Sequence, residues 1–422
     1  MKPYGVFLIA LFALVACNED DPQREPITVT VDTFNVALAG AFIPFEEERR
    51  QPIADAIAAH DADVLCLQEV WTQEDKELIR DAAAANYPYI EFFENDLDTE
   101  LDDPTDQNGN IPPEPTTVPC PEVEVGPDVT IEDQMNLAVD CVRDDCSTIP
   151  GSDDGRTTSA ECAGNACTTD VLPLLFGNEN QQRCYACIAT QLPTSTFATI
   201  RESCATVVNQ DLAFDGQNGV MLLSKYPLNN SAEWVIPGTW NRRTILRATV
   251  ELPSGAELDT YCNHLTPIFD DITFPYTGQY GEGNTDAAGW QAEQELQAEK
   301  LIAHVEATSG ERPAVILGDL NAGLAFPSEN IVGEGEPTFE LLADAYTPAY
   351  TSDYTPECTF CSENPVTDTE NDVWIDHILL HQLDDSTITE TERVFDENVV
   401  PVEGMMVPLS DHFGIRSVLT LP

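Results

Sequence analysis

The sequence predicts an α/β fold, and three observations carry that reading. Apolar runs of strand length alternate with segments of helical spacing. Several of these runs are continuous rather than alternating, as in strands covered on both faces. Many of them also stop abruptly at an acid, an amide or a histidine, as AVILGDLNAG (314–323) does at Asp319 and Asn321.

Taken in order, the chain begins with MKPYGVFLIALFALVAC. A Lys precedes an apolar run too short for a permanent span, so residues 1–17 are expected to be an export signal. The ending LVAC resembles a bacterial lipobox, which implies cleavage before Cys17 and a lipid on its sulfur. The other reading is an ordinary signal peptide cut nearby. Residues 18–27 read as a polar tether. ITVTVDTFNVA then alternates as a strand, and EEERRQPIADAIAAH places Ile53, Ala56 and Ile57 on one helical face. ADVLCLQEVW reads as a strand buried on both sides. TQEDKELIRDAAAANYP reads as a helix with Thr72 as its cap and Pro88 beyond its end. Strand, helix, strand, helix is the rhythm of an α/β domain.

That rhythm breaks over residues 96–208, which are acidic, Pro-rich and Cys-rich. So long a loop without structure is improbable in a compact domain, and a disulfide-stapled insertion with some helix, as in NQQRCYACIATQL, is predicted. DPTDQNGNIPPE (103–114) has a faint calcium-loop pattern, but with Gly109 as the sixth position Pro104 and Pro115 stand where the end carboxylates belong. Core patterning resumes with GQNGVMLLSKYPL, RRTILRATVEL, ELDTYCNHLTP, the helical WQAEQELQAEKLIAHVEA, DVWIDHILLHQL and SDHFGIRSVLTL. One domain is therefore expected to comprise residues 28–95 and 209–422.

Composition bounds the function. With 75 acidic and 18 basic residues the formal net charge is −57. Duplex binding relies on Lys and Arg meeting phosphates, so nucleic acid is disfavoured as a partner, although a local groove or a cation could still receive it. Removing Cys17 leaves twelve of the 13 cysteines, an even number suited to disulfides in an exported chain. Eight lie between residues 120 and 204, where Cys141/Cys146, Cys162/Cys167 and Cys184/Cys187 have metal-like spacing but no His among them. Cys66 and Cys262 sit inside apolar runs, either bridged or as two buried thiols. A monomer is expected.

The chemistry-bearing residues are those that close strands. Asp319 and Asn321, two apart, would face one side of their strand. Glu69 ends DVLCLQE, and a carboxylate there is a natural Mg²⁺ ligand. Asn35 closes the first strand, His264 closes DTYCNHL, Asp376 lies in VWIDHILL, and His412 follows Asp411 in LSDHFG. Asn218 lies in NGVMLLS.

In order along the chain, TFNV, DVLCLQEVW, NGVMLLSKYP, CNHLTP, VILGDLNAG, WIDHILL and SDHFGI resemble the endonuclease/exonuclease/phosphatase (DNase I-like) superfamily of metal-dependent phosphoesterases. The resemblance implies a four-layered α/β sandwich, two packed mixed sheets flanked by helices, with a site at one end. It implies metal binding by Glu69 with Asn35 beside it and Asp411 in support. It makes His264 a phosphate-binding group, and Asn218 and Asn321 phosphate-side amides. Asp319 would position or activate water, His412 would act as base or acid, and Asp376 would orient His412. Two departures concern anion contacts: Asn263 stands where the family often has Thr, and Gln294-x-x-Gln297 replaces Arg-x-x-Gln. Arg242 and Arg243 would either compensate or be solvated and ion-paired.

LQEVW with the later Tyr87-Pro88 is most similar to the sphingomyelinase branch. That branch implies a phospholipid phosphodiester as substrate, Mg²⁺ or another divalent cation as cofactor, and a membrane reached through the lipid on Cys17. A secreted nuclease, a phosphatase of small phosphoesters, and a binding lipoprotein with a degenerate core are the alternatives.

Overall fold

A computed structural model describes residues 26–93, 118–158, 160–192, 194–206, 213–269, 286–367 and 369–421. The expected export signal with Cys17, and the calcium-like segment 103–114, lie outside the described residues.

The first half of the sandwich comprises β1 (Ile27–Leu38), α1 (Glu46–Ala59), β2 (Val64–Val70), α2 (Gln73–Ala83) and β3 (Tyr89–Glu91). Next come the short pair β4 (Glu124–Gly126) and β5 (Val129–Thr130) and five helices. These are α3 (Ile131–Asp145), α4 (Ala160–Ala166), α5 (Thr168–Leu175), α6 (Glu179–Gln191) and α7 (Phe197–Ala205). The sandwich resumes with β6 (Met221–Ser224), β7 (Leu228–Ile236), β8 (Arg243–Glu251), β9 (Glu257–His264), α8 (Ala287–Ser309) and β10 (Ala314–Asp319). It continues through β11 (Ile331–Val332), α9 (Glu336–Ala345), β12 (Thr347–Pro348), β13 (Asp372–Val373) and β14 (Asp376–His381). It closes with β15 (Ile388–Val394), β16 (Val400–Val402), β17 (Met405–Val407) and β18 (Gly414–Leu421).

Two six-stranded mixed sheets result, in the orders β15-β18-β1-β2-β6-β3 and β12-β14-β10-β9-β8-β7. Side chains from their facing surfaces, such as Val31, Cys66, Leu222, Leu246, Val315 and Ile378, form one buried cluster. The outer face of the first sheet is covered by α1 and α2 through Ile53, Ile57 and Ile79. The outer face of the second is covered by α8 and α9 through Leu301, Val305 and Leu342. Helix, sheet, sheet, helix is the four-layered sandwich expected from the resemblance. It explains why LCL and VIL are unbroken apolar runs, since these central strands are covered on both faces.

Local signals place the helices. Thr72 accepts a hydrogen bond from the Asp75 backbone at the start of α2, and Thr130 with Asp133 closes a reciprocal cap on α3. A Asn178–Gln181 pair does the same for α6.

The insertion has its own core, built from Ile131, Met135, Val139, Leu174, Phe197 and Ile200. Its eight cysteines pair as Cys120–Cys184, Cys141–Cys167, Cys146–Cys162 and Cys187–Cys204. The metal-like neighbours in sequence are not joined to each other. Cys184 and Cys187 lie on one turn of α6, and each reaches a different segment. Cys66–Cys262 is a disulfide between the two sheets, and Cys358–Cys361 closes a short loop. Bonds of this kind persist in an oxidising compartment. Among the described residues no helix is long and apolar enough to cross a membrane.

Candidate active site

Each sheet contains one parallel pair, β1 with β2 and β9 with β10. Parallel strands end on the same side, so Asn35, Glu69, His264 and Asp319 reach a common rim. The antiparallel neighbours start there. Asp376 opens β14 directly opposite Asp319, and His264 flanks Asp319 on its other side. His412 stands just before β18, the antiparallel neighbour of β1. The Cys66–Cys262 bond crosses the core a few residues below, and so ties the strand of Glu69 to the strand of His264.

The groups meet across the sheets. Asn35 Nδ2 donates to Glu69 Oε1 at 3.1 Å and to Asp319 Oδ2 at 2.9 Å. His264 Nε2 lies 3.5 Å from Asp319 Oδ2 and 3.9 Å from Glu69 Oε1. His412 Nδ1 is 2.8 Å from Asp376 Oδ2, which leaves Nε2 facing Asp319 Oδ2 at 3.8 Å. Asp411 accepts from the Ser410 hydroxyl. Glu69 has φ of 59°, left-handed backbone that is uncommon outside glycine and re-aims the carboxylate at the strand end. Its side chain keeps 20% exposure, enough for solvent or a hydrated ion to reach it.

The electrostatics reflect an excess of buried carboxylates. Burial, reinforced by Asp411, raises the Glu69 carboxyl. Burial and the adjacent Asp376 raise that of Asp319. Burial depresses His264, with Arg243 and His412 acting in the same direction. For His412 burial acts downward, but the carboxylates of Asp376 and Asp319 outweigh it and the imidazole is raised. Two groups of ligating atoms lie within 4.8 Å of one another, Glu69/His264/Asp319 and Asp319/Asp376/His412. A third such group, Cys141/Asp145/Cys167, is no metal site because Cys141 and Cys167 are bonded to each other.

Some expected residues sit differently from the strand argument. Asn321 does not face the rim by strand alternation, because the strand ends at Asp319. It turns through a positive φ of 47°, its N–H donates to Asp319 Oδ1 at 2.9 Å, and its amide donates to Leu265 O at 2.9 Å. Asn218 donates to Phe93 O at 3.0 Å and accepts from the Val220 N–H. Arg242 and Arg243 are not solvated, being only 1% and 3% exposed; Arg243 opens β8, and Arg242 just before it bridges to Asn218. The Arg243 guanidinium lies 5.7 Å from the Trp71 ring centre.

Helix α8 supplies a support that motif reading missed. Gln294 donates to Thr266 O at 2.7 Å and to Asn321 O at 2.8 Å. Gln297 accepts from the Thr266 N–H and donates to Pro237 O. Glu293 accepts from Thr239 and Thr266, and burial pushes its carboxyl up to about 7. Gln294, which stands in place of the pattern's Arg, and Gln297, which matches its Gln, thus clamp the loops after β9 and β10. Their signal in the sequence was three polar residues on a helix face otherwise needed for packing.

The family described as Endonuclease/Exonuclease/phosphatase family matches residues 33–412. No curated protein is matched. Solved structures that are similar include an endonuclease/exonuclease/phosphatase from Beutenbergia cavernae, 16% identical with a TM-score of 0.47, covering 93% of this chain and 72% of that one. Beta toxin from Staphylococcus aureus is 12% identical with a TM-score of 0.49, covering 92% and 99%. Sphingomyelinase C from Streptomyces griseocarneus is 14% identical with a TM-score of 0.45, covering 93% and 99%.

Proposed function

Since the chain belongs to the endonuclease/exonuclease/phosphatase family, we propose that it is a divalent-cation-dependent phosphodiesterase whose substrate is a phospholipid headgroup ester, as in sphingomyelinases. The observation that carries this reading is the Asn35 amide, which joins Glu69 from one sheet to Asp319 from the other. It brings carboxylates and imidazoles from widely separated segments to one rim.

The donor set fits a hard cation. Glu69 offers a partly exposed carboxylate, Asn35 and Asp411 stand beside it, and the surplus of buried negative charge is what a cation would relieve. When bound, Mg²⁺ withdraws charge from the phosphoryl group and stabilises the leaving oxygen. The chain's own residues do the rest. His264 Nδ1 has no partner and its Nε2 faces two carboxylates, so its proton belongs at Nε2, where it can donate to a phosphoryl oxygen. Asn321 and Asn218 serve as phosphate-side amides. Asp376 holds His412 through Nδ1, which leaves Nε2 to exchange a proton with attacking water or leaving oxygen. Asp319 orients the water between them. The two groups share the proton step, and which takes the first proton is decided by the bound state.

The phospholipid reading rests on the LQEVW and Tyr87-Pro88 pieces and on a charge of −57 that repels nucleic acid. Export and a lipid on Cys17 would place the enzyme at a membrane, and the six disulfides accord with export. A panel of sphingomyelin, phosphatidylcholine, DNA and inositol phosphates, with and without EDTA, tests the assignment. Phosphocholine release that needs Mg²⁺ and falls by about 10³-fold in His412→Ala is expected. Release unaffected by that change would discredit the site. DNA degradation without lipid turnover would make the protein a nuclease. Ligand binding without any phosphoester cleavage would leave a degenerate binding lipoprotein.

A further inference from the structure

A cavity of about 290 Å³ lies where the helical insertion meets the sandwich, at the small end of the range for ligand pockets. Its walls include Glu46 and Gln73 from the starts of α1 and α2, Trp71 and Phe214 between them, and Arg156 and Asp215 at the insertion seam. Three polar atoms of these walls are buried without a hydrogen-bond partner, Glu46 Oε2, Gln73 Oε1 and Trp71 Nε1. Trp71 is only 2% exposed, so its N–H has no recourse to bulk solvent. Buried polar atoms are ordinarily paired, and three orphans around one cavity mark a place built for something polar.

The charge of the cavity says what kind of group it takes. Asp215 is ion-paired with Arg156 and also accepts from the Thr196 N–H at the start of α7. Glu46 accepts a backbone hydrogen bond from Gly40 and lies near Arg49 and Arg50, yet its Oε2 keeps no partner. Burial, then nearby Asp75, push its carboxyl upward against the opposing pull of Gly40, Arg49 and Arg50, so its negative charge is only partly compensated. The unpartnered atoms are two acceptors and one donor. The two acceptors match an N–H-bearing ammonium. The indole N–H matches an oxygen beside it, as in a headgroup ester. Phe214, stacked on Trp71 with ring centres 4.5 Å apart, supplies an apolar wall for the intervening carbons.

The cavity adjoins the candidate active site. Trp71 follows Glu69 by two residues, and its ring centre is 6.0 Å from that of His264. The same indole therefore borders both spaces.

We propose that this seam cavity receives the ammonium group of the substrate headgroup, and that it prefers an ammonium bearing N–H over trimethylammonium. The identity of the substrate rests on the phospholipid reading above, whereas the pocket itself does not. The insertion, through Arg156, would then be part of substrate selection rather than an ornament.

The test uses the full chain with EDTA, titrated with ethanolamine and with choline by ligand-observed NMR. Ethanolamine is expected to bind several-fold more tightly than choline. Glu46→Gln is expected to weaken it about ten-fold, and Glu46→Lys, which supplies its own ammonium to the cavity, to abolish it. A turnover assay then compares phospholipids with ethanolamine and glycerol headgroups in Mg²⁺. The ratio of their kcat/KM values should fall about ten-fold in Glu46→Gln. Ethanolamine binding unaltered in both variants, or a ratio that does not move, would overturn the proposal. If no phospholipid is cleaved but ethanolamine binding still depends on Glu46, the phospholipid reading fails and the pocket stands.

Discussion

The sandwich and the insertion solve the same problem by opposite means. In the sandwich, the decisive contacts are remote in sequence: Asn35 and Asp319 are 284 residues apart, and Cys66 and Cys262 are 196 apart. In the insertion the four bridges span 64, 26, 16 and 17 residues. Among the described residues the sandwich has three large buried clusters between and outside its sheets and a small fourth around Trp71. Among the described residues the insertion has one buried cluster, stapled by its four bridges. The difference teaches where polar chemistry can be stored. A large apolar core can hold Asp319, Asp376 and His264 buried at its rim, because the strands under them are already paid for. A small stapled unit contributes instead at its edge, through Arg156 and Thr194 along the seam.

The sharpest way to break this comparison is to remove bridges singly. Replacing Cys66 and Cys262 by Ala together should cost about 5 kcal/mol, and replacing Cys146 and Cys162 about 3 kcal/mol, since a longer closed loop restrains the unfolded chain more. Denaturant unfolding reads both. Equal costs would mean that loop length does not separate the two regions.

A somewhat smaller effect should follow from Glu293, the buried acid of α8. Its carboxyl titrates at about 7 in the fold, against an ordinary value of 4.5. The folded state therefore binds more protons between those values, and stability falls as pH rises from 4.5 through 7, by about 3 kcal/mol, then levels off. Melting temperatures from pH 5 to pH 8 should show that decline in the native protein and a shallower one in Glu293→Gln, since the raised carboxyls of Glu69 and Asp319 act in the same direction. An undiminished slope in the variant would put the titrating group elsewhere, and would weaken the view that the sandwich stores its polar anchors under packing.

The smallest expected effect concerns the seam. Trp240 Nε1 donates to Thr190 O at 2.9 Å, joining the sandwich to α6. Trp240→Phe should cost about 1 kcal/mol, seen as faster hydrogen exchange in α6 with the central strands unaffected. Exchange that accelerates equally in β2 and β10 would show the two regions to be one cooperative unit.

Much of the site was legible because its residues interrupt apolar runs. Glu69, His264 and Asp319 each end a strand that is otherwise buried, and a polar group there has no packing reason to exist. The cap Thr72 acts within a few positions of itself, so chain order sufficed to find α2, whereas the caps Thr130 and Asn178, equally local, were not read and α3 was not predicted. Asn321 was found for an incomplete reason: it is at the rim, but by a left-handed turn rather than by strand alternation. Gln294, Gln297 and Glu293 were passed over as anion contacts or as ordinary helix polarity, because what they bond lies on loops far away in the chain.

By itself the sequence determined the alternation of strands and helices, the residues that terminate the strands, and the presence of cysteines enough for six bridges. These follow from periodicity and local chemistry, which act over a few residues. Only the tertiary structure decided which cysteines pair, which sheet carries each polar terminus, that Arg242 and Arg243 are buried, and that Glu46, Gln73 and Trp71 share a cavity with the insertion. Those outcomes depend on the packing of segments hundreds of residues apart, and no local rule carries that distance.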